Sequence, residues 1–144
     1  MSRIKLELPA QFSFHTIIPI RITDINYGGH AGNDSVLSII HEARMQFLQQ
    51  HGYDEKNFAG VGLIMNDVAI EFKKELYYGD TLNIAVTATA FERVSFDIFY
   101  QLDTIRNGKR ITVAVAKTGM VCFDYTAKKI SAVPEAARTK FNAS

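Results

Sequence analysis

The chain has 144 residues and a formal net charge of +1, so it fits one domain and has no charge excess that would indicate nucleic acid or an anionic membrane as a partner. Its single cysteine, Cys122, excludes an intrachain disulfide and a cysteine-based zinc site, and its apolar neighbours predict a buried, inert thiol. Charges interrupt the first apolar run, and no apolar stretch approaches the roughly 20 residues that span a bilayer. We therefore expect a cytoplasmic protein.

A strand and then a long helix are predicted in the first third of the chain. Residues 11–22 carry isoleucine and phenylalanine in partial alternation, which indicates a strand. Residues 33–51 change to helical spacing, with apolar side chains at Val36, Ile39, Ile40, Ala43 and Phe47. Asn33 or Asp34 is the expected N-cap of this helix, and Gly52 fits the position just after its end.

Four strand-like runs and one short helix are predicted in the remainder. The strands are expected at residues 61–75, 81–93, 95–105 and 110–125, and the helix at residues 134–141. We expect an irregularity in the first of these strands, near Asn66-Asp67. The Tyr78-Gly79-Asp80 segment indicates a turn, and Asn107-Gly108 is a strong hairpin signal.

One long apolar helix followed by antiparallel strands predicts an α+β domain, residues 1–144, in which a curved sheet wraps the helix. A helix that is apolar on most sides needs more cover than one small sheet provides. We therefore expect a homodimer or homotetramer, because a second copy covers the open flank.

The segment of residues 21–34, between the first strand and the helix, is the strongest candidate for a functional site. It collects acidic, amide and imidazole side chains, and its glycines let a ligand approach the backbone closely. It leads directly into a helix N-terminus, where free N–H groups favour an anion or a polarised carbonyl oxygen.

This order of elements resembles the hot-dog fold thioesterases of the 4-hydroxybenzoyl-CoA type, over roughly residues 14–134. The motifs that carry the resemblance are Gly29-His30, Asn33, Glu42-Ala43-Arg44, Tyr78-Gly79-Asp80 and Pro134. The resemblance implies a hot-dog fold and an acyl-CoA or acyl-carrier thioesterase that works as a homo-oligomer. It implies no metal, and no cofactor other than the coenzyme A that is part of the substrate.

The catalytic residues implied by the resemblance are Asp24, Asn26, His30 and Glu42. The family's aspartate usually stands four residues before the histidine, where this chain has Asn26, and an amide cannot act as nucleophile or general base. We therefore expect Asp24 or Glu42 to deprotonate the water. Asn26 and Asn33 would orient that water, and His30 would position the thioester or order the loop.

Substrate binding is assigned to Gly29, Ala31, Gly32 and Asn33 at the head of the helix. Backbone N–H groups of residues 31–33 would donate to the thioester oxygen, and one such donor typically contributes about 3 kcal/mol of transition-state stabilisation. Thiolate leaves readily, so a general acid is less critical than for an amide.

Each candidate also has a purely structural interpretation. Asp24 and Asn26 are typical turn formers, His30 would bond a carbonyl oxygen, Asn33 would cap the helix, and Glu42 would be an exposed helix residue.

Two other functions remain open from the sequence. A hot-dog hydratase has a similar loop, but its histidine follows the aspartate by five residues, whereas here the separation from Asp24 to His30 is six and the proline is missing. A non-catalytic acyl-CoA-binding module is favoured by Asn26, which replaces the carboxylate. The acyl group itself is not specified by the sequence.

Overall fold

The structure is a computed structural model that describes residues 3–142. Its strands are β1 Phe14–Pro19, β2 Gly62–Phe72, β3 Thr81–Thr89, β4 Ser95–Arg106, β5 Lys109–Asp124 and β6 Lys129–Ile130, and its helices are α1 Asn33–Gln50 and α2 Glu135–Asn142. The expected α+β architecture is confirmed. The short β6 and a 3-10 turn at Ile22–Asp24 were not predicted, and the predicted domain of residues 1–144 extends beyond the described residues at both ends.

The strands form one antiparallel sheet in the order β1-β3-β4-β5-β2, and β6 pairs with β5. The β4–β5 hairpin closes through Asn107 and Gly108, which both have positive φ and match the right-handed twist of the strands. The expected irregularity in β2 is confirmed as a register shift between Met65 and Asp67. The turn at residues 77–80 is confirmed by the Asp80 N–H, which donates to the Tyr77 carbonyl oxygen.

Helix α1 packs its apolar stripe into the core against the sheet. The predicted stripe is buried, and Leu48 and Arg44 are buried with it. The N-cap is Gly32, not Asn33 or Asp34, and the helix start has no side-chain cap. A Cβ atom at residue 32 would lie 2.5 Å from Oδ1 of Asp34, so a larger residue there would require the Asp34 side chain to move. Gly52 follows the helix with φ +81°, as predicted.

Helix α2 closes one end of the core through an aromatic cluster. The ring of Phe141 lies 5.7 Å from that of Phe58, which in turn stacks 5.3 Å from Phe96. Cys122 is fully buried in β5, as expected.

None of the helices within residues 3–142 is long and apolar enough to cross a membrane. The cytoplasmic location stays a prediction.

Candidate active site

The loop between the 3-10 turn and α1 is closed by its own hydrogen bonds. Ile25 and Ala31 form an isolated β-bridge, and the Asn26 N–H donates to the His30 carbonyl oxygen at 3.0 Å. Oδ1 of Asn26 accepts from the Gly28 N–H at 2.8 Å, which is an Asx-turn. The turn-forming interpretation of Asn26 is therefore realised, and only its Nδ2 group is left to donate to a ligand or to water.

Asp24 is enclosed in the 3-10 turn and is only 4% exposed. Its Oδ2 accepts from the Arg21 N–H at 2.8 Å, and its Oδ1 lies 3.2 Å from the Arg21 guanidinium. The geometry does not favour the predicted role of Asp24 as the base, because its oxygens already accept from Arg21 and have little access to water.

His30 is held at the head of α1 with its ring half-buried. Nδ1 lies 3.2 Å from the carbonyl oxygen of Ala31, and Nε2 lies 3.8 Å from Oε1 of Glu75. A carbonyl oxygen only accepts hydrogen bonds, so Nδ1 carries the proton and the lone pair of the neutral ring is on Nε2. The basic nitrogen therefore points toward Glu75.

A cavity of about 250 Å³ lies beside His30, between the head of α1 and the chain that follows β2. Its polar lining is His30, Asn33, Lys73, Lys74 and Glu75, and its apolar lining includes Val36, Phe72 and Leu76. The structure thus brings together three of the predicted site residues, His30, Ala31 and Asn33. Glu75 is not among the predicted site residues, because residues 73–75 belong to no motif and lie far from the loop in the chain.

Three of the four predicted substrate-binding residues use their N–H groups inside the protein. The Ala31 N–H donates to the Leu76 carbonyl oxygen at 2.8 Å, the Gly32 N–H to that of Asp24 at 3.2 Å, and the Gly29 N–H to that of Asn26 at 3.1 Å. The geometry therefore does not favour substrate binding by the N–H groups of Ala31 and Gly32, and their assignment to the substrate stays a prediction. Asn33 begins the uncapped first turn of α1, where backbone N–H groups have no carbonyl partner within the helix.

Glu42 lies on the exposed side of α1, away from the cavity at His30. Its Oε2 accepts from Nε2 of Gln46 at 2.8 Å, and its side chain lines a separate groove with Arg21 and Ser38. Within one subunit the structure does not bring Glu42 and His30 together.

A second polar cluster lies along α1 on the side that faces β2. The buried Arg44 contacts Oε2 of Glu55 at 3.2 Å and the Tyr100 hydroxyl at 3.3 Å, and His41 contacts Oε1 of Glu55 at 2.6 Å. This cluster lines an open groove of about 440 Å³ together with Leu37, Ser38 and Met65.

No three histidine, cysteine or acidic side chains come together as metal ligands anywhere in the part of the chain that the structure describes. The absence of a metal and of any separate cofactor stays a prediction.

Comparison with known proteins shows that this chain is similar to thioesterases. The family model described as the thioesterase-like superfamily matches residues 20–141. A 1,4-dihydroxy-2-naphthoyl-CoA hydrolase from Microcystis aeruginosa is 31% identical over 122 residues, which cover 83% of this chain and 86% of the relative. A protein of the same name from Rippkaea orientalis is 32% identical over 73% of this chain and 78% of the relative.

Solved structures share the fold at lower identity. The 1,4-dihydroxy-2-naphthoyl-CoA thioesterase from Synechocystis superposes with a TM-score of 0.79 at 20% identity, covering 90% of this chain and 95% of that one. A 4-hydroxybenzoyl-CoA thioesterase variant, complexed with 4-hydroxybenzoyl-CoA, also gives 0.79, at 17% identity and coverage of 89% and 97%. The predicted hot-dog fold is confirmed.

Proposed function

The chain belongs to the thioesterase-like superfamily, and we propose that it hydrolyses an acyl-CoA thioester to a carboxylic acid and free coenzyme A. The observation that carries the proposal is the cavity at the head of α1, where His30 and Asn33 lie together with Lys73 and Lys74. A thioester oxygen placed against the first turn of α1 receives free N–H groups and the positive end of the helix dipole.

The size and charge of this cavity fit one end of the substrate. A volume of about 250 Å³ accommodates the thioester and the adjoining part of the pantetheine arm, but not a whole acyl-CoA. Lys73 and Lys74, at the end of β2, would meet the coenzyme A phosphates outside. The open groove beside His41 and Met65 would take the acyl group. Because the relatives are named as 1,4-dihydroxy-2-naphthoyl-CoA hydrolases, aromatic acyl-CoA thioesters are the first class to test.

The reaction needs a base that Asn26 does not supply. The Nδ2 group of Asn26 can only donate a hydrogen bond to the attacking water, so another group must accept its proton. Glu42, the carboxylate predicted on α1, would have to reach the cavity from a second subunit, since it lines a different groove in its own.

We further propose that the enzyme is a homodimer built on the free edge of β2. β2 is an edge strand of the sheet, so one side of its backbone forms no hydrogen bonds with any of the strands β1 to β6. Its side chains Ile64, Met65 and Val68 are 36–39% exposed and form an apolar surface along this edge. A second copy that pairs along β2 would bury these side chains and cover the groove at Met65.

The test is turnover of a panel of thioesters, measured as release of free thiol. The panel contains 1,4-dihydroxy-2-naphthoyl-CoA, 4-hydroxybenzoyl-CoA, straight-chain acyl-CoA and an acylated carrier protein. The Cys122→Ala variant serves as a matched control, because it removes the only protein thiol from the readout. We expect hydrolysis of at least one member. Ligand-induced stabilisation without hydrolysis would instead identify a non-catalytic acyl-CoA-binding module. An enoyl-CoA is assayed beside the panel, and addition of water to it would identify a hydratase.

A further inference from the structure

We propose that Glu75 supplies the carboxylate that position 26 lacks, and that Glu75 and His30 together hold and activate the attacking water. The inference rests on the thioesterase function proposed above. It assigns a catalytic role to a residue that lies 45 positions after the histidine and outside every motif of the loop.

The distance between the two side chains suits a shared water. Nε2 of His30 and Oε1 of Glu75 are 3.8 Å apart, and both groups line the cavity beside Asn33. This separation is too long for a direct hydrogen bond, but a water molecule at about 2.8 Å from each atom fits between them. Such a water donates one hydrogen to Nε2 and the other to Oε1.

The backbone fixes the position of Glu75 relative to the histidine. The Ala31 N–H donates to the Leu76 carbonyl oxygen at 2.8 Å. His30 immediately precedes Ala31 and Glu75 immediately precedes Leu76, so this hydrogen bond holds His30 and Glu75 close together. Arg106 donates from Nη2 to the carbonyl oxygen of Glu75. The segment after β2 is thereby attached both to the loop and to the β4–β5 hairpin.

The carboxylate itself is also oriented. The Tyr77 hydroxyl donates to Oε2 of Glu75 at 2.8 Å, which leaves Oε1 for the side that faces His30. Glu75 is 59% exposed in its side chain, so it has access to water, in contrast to the enclosed Asp24. A single hydrogen bond from a neighbouring hydroxyl therefore selects which oxygen meets the reacting water.

These groups support a complete hydrolytic cycle. Nε2 of His30 takes a proton from the water while the water oxygen bonds to the thioester carbon, and the carbonyl electron pair moves to oxygen at the first turn of α1. The anionic Glu75 stabilises the imidazolium formed beside it. The tetrahedral intermediate then reforms its carbonyl group and expels the coenzyme A thiolate, which takes the proton from Nε2. The products are the carboxylic acid and the free thiol.

The first test compares Glu75→Gln with Glu71→Gln. Glu71 is a matched control, since it lies on the same stretch of chain, contacts Lys73 at 3.3 Å and accepts from the Leu6 N–H, which a glutamine oxygen also does. We expect Glu75→Gln to lower kcat by about a hundredfold, as for the loss of part of a general base, with little change in KM or melting temperature. Glu71→Gln should stay within about twofold of the parent, because it lies outside the cavity.

The second test is chemical rescue. Glu75→Ala opens space beside an exposed side chain, so added formate should restore part of its kcat, whereas chloride at equal ionic strength should not. If the parent hydrolyses the panel and Glu75→Gln keeps near-normal kcat, this inference alone is overturned. If Glu42→Gln loses kcat instead, the carboxylate lies on α1. A parent that hydrolyses nothing overturns the proposed function, and this inference with it.

Discussion

The hydroxyl of Tyr77 donates a 2.8 Å hydrogen bond to Glu75, and this contact ties the proposed carboxylate to the turn before β3. The carboxylate raises the pKa of the Tyr77 phenol, because it accepts this hydrogen bond and its negative charge opposes ionisation. The guanidinium of Arg106 lies 5.1 Å from the Tyr77 ring centroid and holds the ring from its face. In the proposed mechanism Tyr77 is thus a positioning residue that acts through Glu75.

Replacing Tyr77 with phenylalanine should lower kcat by about tenfold, equivalent to about 1.4 kcal/mol of transition-state stabilisation. The ring and its contact with Arg106 remain, so the melting temperature and KM should change little. The measurement is steady-state kinetics on the best substrate of the panel. Tyr78→Phe, at the neighbouring exposed tyrosine, is the control and should behave like the parent. Equal kcat values for the two variants would contradict an orienting role for the Tyr77 hydroxyl.

Replacing Asp24 with asparagine should reduce stability without removing activity. The asparagine oxygen still accepts from the Arg21 N–H, but the ion pair with the exposed guanidinium is lost, at a cost of up to about 1 kcal/mol in the free energy of unfolding. The measurement is urea denaturation together with kcat per folded molecule.

Asp124→Asn is the matched control for Asp24→Asn. Asp124 is also a turn residue whose carboxylate accepts backbone N–H groups, from Thr126 and Ala127, and an asparagine oxygen keeps those bonds. A hundredfold loss of kcat in Asp24→Asn at unchanged stability would restore Asp24 as the base.

The sequence was sufficient for the fold because each predicted element depends on local chemistry. The stripe from Val36 to Phe47, the Asn107-Gly108 hairpin and the glycine after α1 are all local patterns, and the structure places them as expected. The predicted N-cap was wrong because Asn33 and Asp34 have the stronger capping preference, whereas the helix begins after Gly32 with no side-chain cap.

The site was only partly predictable, because it is assembled across the sheet. His30 and Asn33 were found from their position before α1, whereas Glu75 reaches them through the Ala31–Leu76 hydrogen bond, a contact between distant segments. The hydrogen bonds that occupy the N–H groups of Ala31 and Gly32 are likewise tertiary or loop-specific. Residue type therefore identified the loop, and only geometry distinguished the groups that line the cavity from those that are hydrogen-bonded within the protein.

Burial of Cys122 predicts a pH-dependent loss of stability. Burial raises the pKa of its thiol from an ordinary 9.0 to about 11, so the folded protein keeps the thiol protonated where the unfolded chain ionises it. The stabilising contribution is full below about pH 8.5 and is lost as the pH rises toward 11. Urea denaturation at pH 8 and pH 10.5 measures the free energy of unfolding. This free energy should fall less between the two pH values in Cys122→Ala than in the parent. Rapid reaction of the native thiol with a disulfide reagent at pH 8 would contradict this burial.

The proposed dimer predicts that two lysines on the β2 edge produce a monomer. Ile64 and Val68 are 38% and 39% exposed in the single chain, so Ile64→Lys and Val68→Lys combined should not disturb its core. Across a β2–β2 contact the same charges would be buried against each other, which is strongly unfavourable. Light scattering should give twice the chain mass of 16.1 kDa, or a higher multiple, for the parent and the single-chain mass for the double variant. Turnover should fall with dimer dissociation if the groove beside Met65 needs the second subunit. Ile105→Lys, at an equally apolar and more exposed position on β4, is the control and should remain associated. A parent that is a stable monomer at micromolar concentration would contradict the dimer.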